Sequence, residues 1–361
     1  MRTRFLLVAS LSLAMFQAGP AVFGQRVVGT AASVHVGDVG DVACTKPTGA
    51  CADYSSDYCK CGCYSIRVFG DYLCLRARDA EVPYAVQANS AVGAPVQTSR
   101  IAILDPDFSS GVRLGFGVGL DECSELALSY TYYDVSTSDS ISKTVDRFQM
   151  TSMVAHPNTP LADFNTFSAD GHLQLNFQRA DLDYRRYFLR NECTDVNYLI
   201  GACYGQLRQN FQSRLSNNLA DPNANDPTWD TAINFYGGGL RFGLEAEQYA
   251  PRVNMVFYAK GISTLLAGEF DASYLQQANG SNNVDTSWKA GRIVPTFDLE
   301  VGGGFYGPGG NFRATLGYVF SAWTNVVKTD DWVRGVQTNN FADMSGTMTF
   351  DGLVARIEGR F

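Results

Sequence analysis

Apolar and polar residues alternate along several stretches of this chain, and the last stretch is the clearest. In Met348 to Phe361, MTFDGLVARIEGRF, Leu353, Ala355, Ile357, Gly359 and Phe361 share one parity, while Arg356, Glu358 and Arg360 share the other. Successive side chains of a strand point to opposite faces, so the segment predicts a strand with one apolar and one charged face. The same period recurs upstream. Val112, Leu114, Phe116, Val118 and Leu120 oppose Arg113, Gly115, Gly117 and Gly119. Leu126, Leu128, Tyr130 and Tyr132 oppose Glu125, Ser129 and Thr131. Phe297, Leu299, Val301 and Phe305 oppose Asp298 and Glu300, and Phe312, Ala314, Leu316, Tyr318 and Phe320 oppose Arg313, Thr315 and Ser321. An edge strand of a soluble sheet can alternate in this way. A closed barrel in a membrane requires it, apolar toward lipid and polar toward the lumen.

Ten strands are predicted, at about 64–77, 110–120, 124–135, 171–190, 195–211, 230–247, 252–271, 292–306, 311–326 and 348–361. The first does not reveal its lipid face. The fourth and sixth change phase: Leu173, Leu175 and Phe177 give way to Ala180, Leu182, Tyr184 and Phe188, and Ile233 and Phe235 to Leu240, Phe242 and Leu244 across Gly237-Gly238-Gly239. Such a slip predicts a β-bulge, which glycine favours. Short connectors (121–123, 191–194, 248–251, 307–310) alternate strictly with long ones (78–109, 136–170, 212–229, 272–291, 327–347). Ten antiparallel strands with both ends on the short-turn side match an outer-membrane barrel, with short periplasmic turns and long external loops. The fold class expected is therefore all-β, an antiparallel transmembrane barrel over 64–361.

Composition agrees. Glycine supplies 35 residues and tyrosine with phenylalanine 18 and 23, which suits twisted strands and interfacial aromatic girdles. The net charge of −8 argues against nucleic acid as a partner. Residues 1–24 read as a signal peptide: Arg2 and Arg4 are basic, Phe5 to Phe16 is apolar and too short to span, and Val22-Phe23-Gly24 precedes a plausible cleavage point. No run of eighteen apolar residues follows.

Residues 25–63 form a Cys-rich extension. Cys44, Cys51, Cys59, Cys61, Cys63 and Cys74 crowd together, and Cys123, Cys193 and Cys203 complete nine. In an exported chain such cysteines predict disulfides before metal. Cys59-Lys-Cys61-Gly-Cys63 lacks the CxxC spacing of zinc ribbons and has no histidine nearby. The disulfide candidates are Cys44, Cys51, Cys59, Cys61 and Cys63 together with Cys123 and Cys193, whose turns are predicted on the same periplasmic side. No metal, cofactor or catalytic residue is assigned.

Between Arg67 and Phe361 the chain resembles the pore-forming outer-membrane proteins typified by the Legionella major outer membrane protein, in the form found in planctomycetes. The resemblance rests on Gly111-Val-Arg-Leu-Gly-Phe-Gly117, Leu128-Ser-Tyr-Thr-Tyr-Tyr133, Tyr198-Leu-Ile-Gly-Ala-Cys-Tyr204, Gly239-Leu-Arg-Phe-Gly-Leu-Glu245, Tyr258-Ala-Lys-Gly-Ile-Ser-Thr-Leu-Leu266 and the terminal Phe361, in that order. It implies a pore in the outer membrane. Phe361 also resembles the signal by which outer-membrane barrels are handed to their insertion machinery.

The candidate pore-lining residues are Arg113, Asp181, Asp183, Arg185, Arg241, Glu245, Asp298, Glu300, Arg313, Arg356 and Glu358. On size alone the same charges could fill a ten-stranded barrel as a salt-bridged core. Gly115-Phe-Gly-Val-Gly119 and Gly302-Gly-Gly-Phe-Tyr-Gly-Pro-Gly309 open no helix and precede no Lys-Ser/Thr, so they predict relief of crowding rather than phosphate binding. His172 and Asp170 fall near the external rim, where a barrel hydrolase would keep acid–base groups, but no GxSxG or HExxH motif accompanies them. The expected function is passive diffusion of small polar solutes or ions across an outer membrane, without enzymatic activity. A hydrolase with a filled barrel and a surface protein crosslinked through its Cys-rich arm are the alternatives. Expected partners are outer-membrane lipid, the insertion machinery and the solutes; self-association is left open.

Overall fold

The computed structural model describes residues 66–89, 97–121, 123–143, 148–158, 166–191, 193–216, 226–278, 280–307 and 311–361. The expected signal peptide and the Cys-rich segment 25–63 lie outside the described residues. Ten strands close into one antiparallel barrel: β1 (Ile66–Arg78), β4 (Ser109–Asp121), β5 (Ser124–Ser142), β7 (Ser168–Arg190), β8 (Thr194–Ser216), β9 (Thr228–Ala250), β10 (Met255–Ala278), β11 (Ser281–Tyr306), β12 (Phe312–Val326) and β13 (Gly346–Arg360). The last strand pairs with the first, Arg67 opposite Arg360 and Arg78 opposite Thr349, and β1 pairs with β4 on its other side. Phe361 continues this seam, its N–H donating to the Ile66 carbonyl at 2.9 Å. Closure leaves the wall without an open edge, as spanning a bilayer demands.

The long connectors are more ordered than their sequence predicts. Segment 78–109 carries β2 (Val82–Asn89) and β3 (Gln97–Leu104), segment 136–170 carries the end of β5 and β6 (Phe148–Ser152), and segment 327–347 carries helix α1 (Thr329–Thr338). Segment 272–291 is no loop: the β10–β11 ladder runs on to the pair Ala278–Ser281. The apolar-outward alternation stops here, and with it the sign by which membrane strands are recognised, yet the ladder continues.

The same effect explains the phase changes of the fourth and sixth predicted strands, where the expected bulges are absent. The ladder of β7 on β8 is unbroken from Ser168 to Tyr187, and β9 keeps register with both neighbours through Gly237-Gly238-Gly239. What changes is which face is apolar. In β9, Trp229, Ile233 and Phe235 point inward and are fully buried, while Asp230 and Asn234 point out. Past the glycines, Arg241 and Glu245 point inward while Leu240, Phe242 and Leu244 point out. Strand β7 makes the same exchange between Phe177 and Arg179, and β13 between Phe350 and Arg356. The turn-side half of the barrel is thus apolar outside and charged inside; the loop-side half is polar outside and apolar inside.

Strand lengths fit this division. Strands β7 to β11 have 23 to 26 residues, whereas β1 and β4 have 13 and β12 and β13 have 15. At about 3.3 Å per residue and a tilt near 40°, a 23-residue strand rises nearly 60 Å. The outward apolar band of such barrels is about 25 Å tall. The tall strands therefore stand well clear of the membrane, where water takes the outer face and the apolar side chains turn in.

The loop-side interior is filled. The sheet β3-β2-β6 and helix α1 pack into it against Leu173, Phe211, Leu215, Trp229, Phe270 and Trp323 of the wall. Strand β2 is almost wholly buried, with Tyr84 donating its hydroxyl to Asp139 Oδ2 at 3.1 Å. In α1, Trp332, Val333 and Val336 face the core, while Asp330 and Asp331 occupy the first turn, where the helix dipole favours acidic groups. The helix stops at Asn339, in the left-handed conformation with φ 51°.

Candidate functional site

The charged layer lies below this filling, toward the turns. Its eleven sequence-predicted residues all sit on inward-facing rows, and the structure adds Arg67, Asp71, Glu125, Arg179, Arg190, Asp195, Glu247, Lys260 and Arg360. Asp71 accepts from Arg356 through both oxygens, at 2.7 and 2.8 Å, and lies 2.9 Å from Arg113 Nε. Arg113 reaches Glu300 at 3.1 Å, which also meets Lys260 Nζ at 3.3 Å. Arg179 bridges Asp298 at 2.7 Å and Asp181 at 3.1 Å. Arg241 pairs with Asp181 and, at 3.2 Å, with Asp183; Arg185 approaches Glu245 at 3.5 Å. Nearer the turns, Arg67 meets Glu125 at 2.6 Å, Arg313 meets Glu247 at 2.7 Å and Arg360 meets Glu358 at 2.8 Å.

Ten cations (Arg67, Arg113, Arg179, Arg185, Arg190, Arg241, Lys260, Arg313, Arg356, Arg360) thus face ten carboxylates (Asp71, Glu125, Asp181, Asp183, Asp195, Glu245, Glu247, Asp298, Glu300, Glu358) among the described residues. The layer is electrically balanced, so an ion entering it would meet no net charge. Buried ions need partners, because an unpaired one is strongly disfavoured in a low dielectric. Phe69 lies against this network, with the guanidinium of Arg356 4.5 Å from its ring centroid. Glycine makes room for it: a Cβ at Gly115 would strike the Phe69 ring, and one at Gly117 the Glu125 carboxylate.

A cavity of about 60 Å³ remains where the charged and apolar layers meet, lined by Arg113, Arg179, Asp298, Glu300 and Lys260 with Phe177 and Phe350. One water needs about 10–15 Å³ by such a measure, so the space suits a few waters. Above it, Phe177 stacks on Phe350 at 5.5 Å and meets Trp323 edge-on at 5.3 Å. At the turn end, Tyr249 and Tyr306 meet at 6.0 Å over Val256. In this conformation the lumen is obstructed by apolar packing above and by the ion-pair layer below.

The plug is held to the wall by a few polar contacts. Gln209, fully buried on β8, donates to the Val327 carbonyl at 2.8 Å and accepts from the Thr329 N–H and hydroxyl at 3.2 and 3.1 Å. The Trp332 indole donates to the Ser273 carbonyl at 3.1 Å. Within the plug, Gln337 ties α1 to the carbonyls of Met153 and Ala155 at 2.8 and 3.0 Å. Arg292 donates to the Met344 carbonyl at 2.6 Å.

Other sequence candidates fall elsewhere. His172 and Asp170 lie on the outward row of β7, away from the interior, and His172 Nδ1 is 2.9 Å from Ser138 Oγ. Phe361 is 82% exposed on the outer face. Cys74 and Cys203 are free thiols among the described residues; Cys123 and Cys193, in the β4–β5 and β7–β8 turns, are not among them. The additional inner charges were missed for definable reasons. Asp71 and Arg67 sit on the strand whose faces the sequence left open, and Arg179 sits where the phase changes. Glu125 and Arg360 were on the right parity and needed only their partners.

A closed ten-stranded barrel with an outward apolar band defines an integral outer-membrane β-barrel protein, and no helix among the described residues is long and apolar enough to cross a membrane. The profile of the family described as Legionella pneumophila major outer membrane protein precursor matches residues 61–354. The chain belongs to that family, and its place is the outer membrane. No curated protein matches it. Among solved structures it is similar to the Escherichia coli outer membrane protease OmpT, at 9% identity and TM-score 0.45, over 84% of this chain and 99% of that one. It is similar also to the Pseudomonas putida toluene transporter TodX, at 8% identity and TM-score 0.29, over 82% and 89%, and to the Ralstonia pickettii toluene transporter TbuX, at 11% and 0.28, over 83% and 90%. At these identities none of them bears on what this chain does.

Proposed function

We propose that the protein passes small polar solutes or ions through a lumen that rests closed and opens when its plug withdraws. One observation carries the reading: among the described residues, the sheet β3-β2-β6 and helix α1 that enter the loop-side half belong to long connectors, while the ten-stranded wall closes without them. The plug can leave without breaking a rung of the barrel ladder. The balanced ion-pair layer beneath can then admit water and rearrange, which a purely apolar filling could not. The reading assigns no enzymatic step, and the outward placement of His172 and Asp170 supports that. It takes Phe361 as the contact offered to the insertion machinery, and Cys123 and Cys193 as disulfide partners of the segment 44–63.

Efflux from vesicles tests it. Purified protein in liposomes should release a trapped small sugar or salt slowly, and release should rise at least about tenfold in a Gln209→Leu/Trp332→Ala variant whose barrel remains heat-modifiable on gels. A variant that folds yet releases nothing would favour the second reading, a filled barrel that serves as a surface anchor. The buried, fully paired charge layer is the observation that favours it.

A further inference from the structure

The cavity between the charged and apolar layers is lined by polar atoms that the fold leaves unpaired. Glu245 Oε1, Arg185 Nε and Thr131 Oγ1 belong to its lining, are buried, and meet no hydrogen-bond partner among the described residues. They differ in kind: the carboxylate oxygen accepts, the guanidinium nitrogen donates, and the hydroxyl does both. The ion pair of Glu245 with Arg185 runs from Oε2 to Nη1 at 3.5 Å, which leaves Oε1 and Nε to the cavity. Thr131 stands on β5 between Arg113 of β4 and Arg179 of β7, whose guanidinium groups are turned to carboxylates. Lys260 joins the lining from β10, opposite Glu245 of β9 and Glu300 of β11. Its ammonium has three donors and lies 3.3 Å from Glu300 Oε1.

A buried donor or acceptor without a partner is disfavoured, and more so on a charged group. Three such atoms around one small space suit a guest that offers both donors and acceptors. The surroundings limit its charge. The layer is balanced, so a single ion would bring an uncompensated charge into a low dielectric, and a net-neutral guest would not. The volume limits its size. At about 60 Å³, against the 10–15 Å³ one water needs, the space admits about five non-hydrogen atoms.

We infer that this cavity is a subsite for a glycine-sized zwitterion, with its ammonium toward Glu245 and Thr131 and its carboxylate toward Lys260 and Arg185. Hydrogen bonds between ionised partners are about twice as strong as neutral ones, which favours a zwitterion over a neutral amide of the same size. The inference names the class of solute for the lumen, and it rests on the reading of that lumen as a passage for the guest's route in and out.

Equilibrium unfolding of the full chain by guanidinium in detergent micelles tests it, with glycine as the probe. Refolding gives the guest access whether or not the plug withdraws. Glycine should stabilise the folded barrel saturably, with half-saturation at about millimolar concentration. At ten times that concentration it should raise the folded-to-unfolded ratio about tenfold. Betaine, a zwitterion too large for the cavity, and methylammonium acetate, which carries the two charges on separate ions, should do neither. Thr131→Val removes a hydroxyl without a protein partner, so the barrel alone should be at least as stable, while half-saturation by glycine should rise about fivefold. Lys260→Met should abolish the glycine effect. The absence of a saturable effect would overturn the inference, as would an equal effect of betaine or methylammonium acetate, or unchanged half-saturation in Thr131→Val. Saturable stabilisation in a protein that releases no glycine from vesicles would support the subsite and sink the passage; release without saturable stabilisation would do the reverse.

Discussion

At the scale of single residues, Asp71 is one of the interior carboxylates that hold two guanidinium groups. It is buried, and it holds Arg356 by two hydrogen bonds and Arg113 by an ion pair. Removing one partner of a buried ion pair leaves the other uncompensated, at a cost of about 3–5 kcal/mol. Asp71→Asn should therefore lower the temperature at which the folded band disappears in a heat-modifiability gel, while Asp105→Asn, an exposed partner of Arg76, should change it little. Equal shifts would mean that the charged layer does not stabilise the barrel. The pair Asp298 and Glu300 makes a second case. Their amides would take from Lys260 its Glu300 partner and leave Arg179 with Asp181 and Arg113 with Asp71. In a conducting background, Asp298→Asn/Glu300→Gln should shift the reversal potential in a salt gradient toward anions, and Arg313→Gln/Arg356→Gln toward cations. No shift from either pair would place these residues outside the conduction path.

At the scale of elements, the docking of helix α1 rests on Trp332 and on its contacts with Gln209. Truncating a buried tryptophan costs about 3–5 kcal/mol, and each lost hydrogen bond about 1 kcal/mol. Moving a two-state equilibrium from 1:99 to 99:1 takes about 5.5 kcal/mol. The combined loss of the Trp332 packing and the Gln209 contacts is of that order. Asp331 adds a pH dependence. Burial, and then the neighbouring Asp330, holds its carboxyl above the usual carboxylate range, with Lys328 and Arg334 opposing. A raised carboxyl favours the docked helix in its protonated form, so docking is firmest at acid pH and weakens as pH rises through the carboxylate range. Limited proteolysis of the 327–345 connector should accordingly be slower at acid pH, and Asp331→Asn should flatten that dependence. A pH-independent rate in the native protein would contradict the assignment. The helix itself was hidden in the sequence. TDDWVRGVQT is short, with few apolar positions, and reads as a turn-rich loop; its helical form depends on the tertiary pocket that receives Trp332.

At the scale of the whole molecule, the barrel was legible and its upper half was not. Alternation and connector rhythm both follow from lipid outside and polar groups inside, and they predicted ten strands that the structure contains. Above the membrane the solvent outside changes from lipid to water, so the alternation inverts. Read alone, the inversion in β7 and β9 resembled a bulge. Only the continuous ladders across Phe177–Arg179 and Gly237-Gly238-Gly239 separate the two explanations. The inner charges were legible wherever parity was secure, but their mutual pairing was not, because partners such as Arg356 and Asp71 lie 285 residues apart in the chain.

The central proposal is that a loop-borne plug holds this lumen closed above the wall's own aromatic and ion-pair layers. Single-channel recording in a planar bilayer tests it most directly, comparing the native protein with a variant in which residues 329–343 are replaced by a short glycine linker. The account predicts that the native protein is mostly silent with brief openings, and that the variant shows long-lived discrete conductance steps. A variant that folds, inserts and stays silent would contradict the account, as would a native protein that conducts as steadily as the variant.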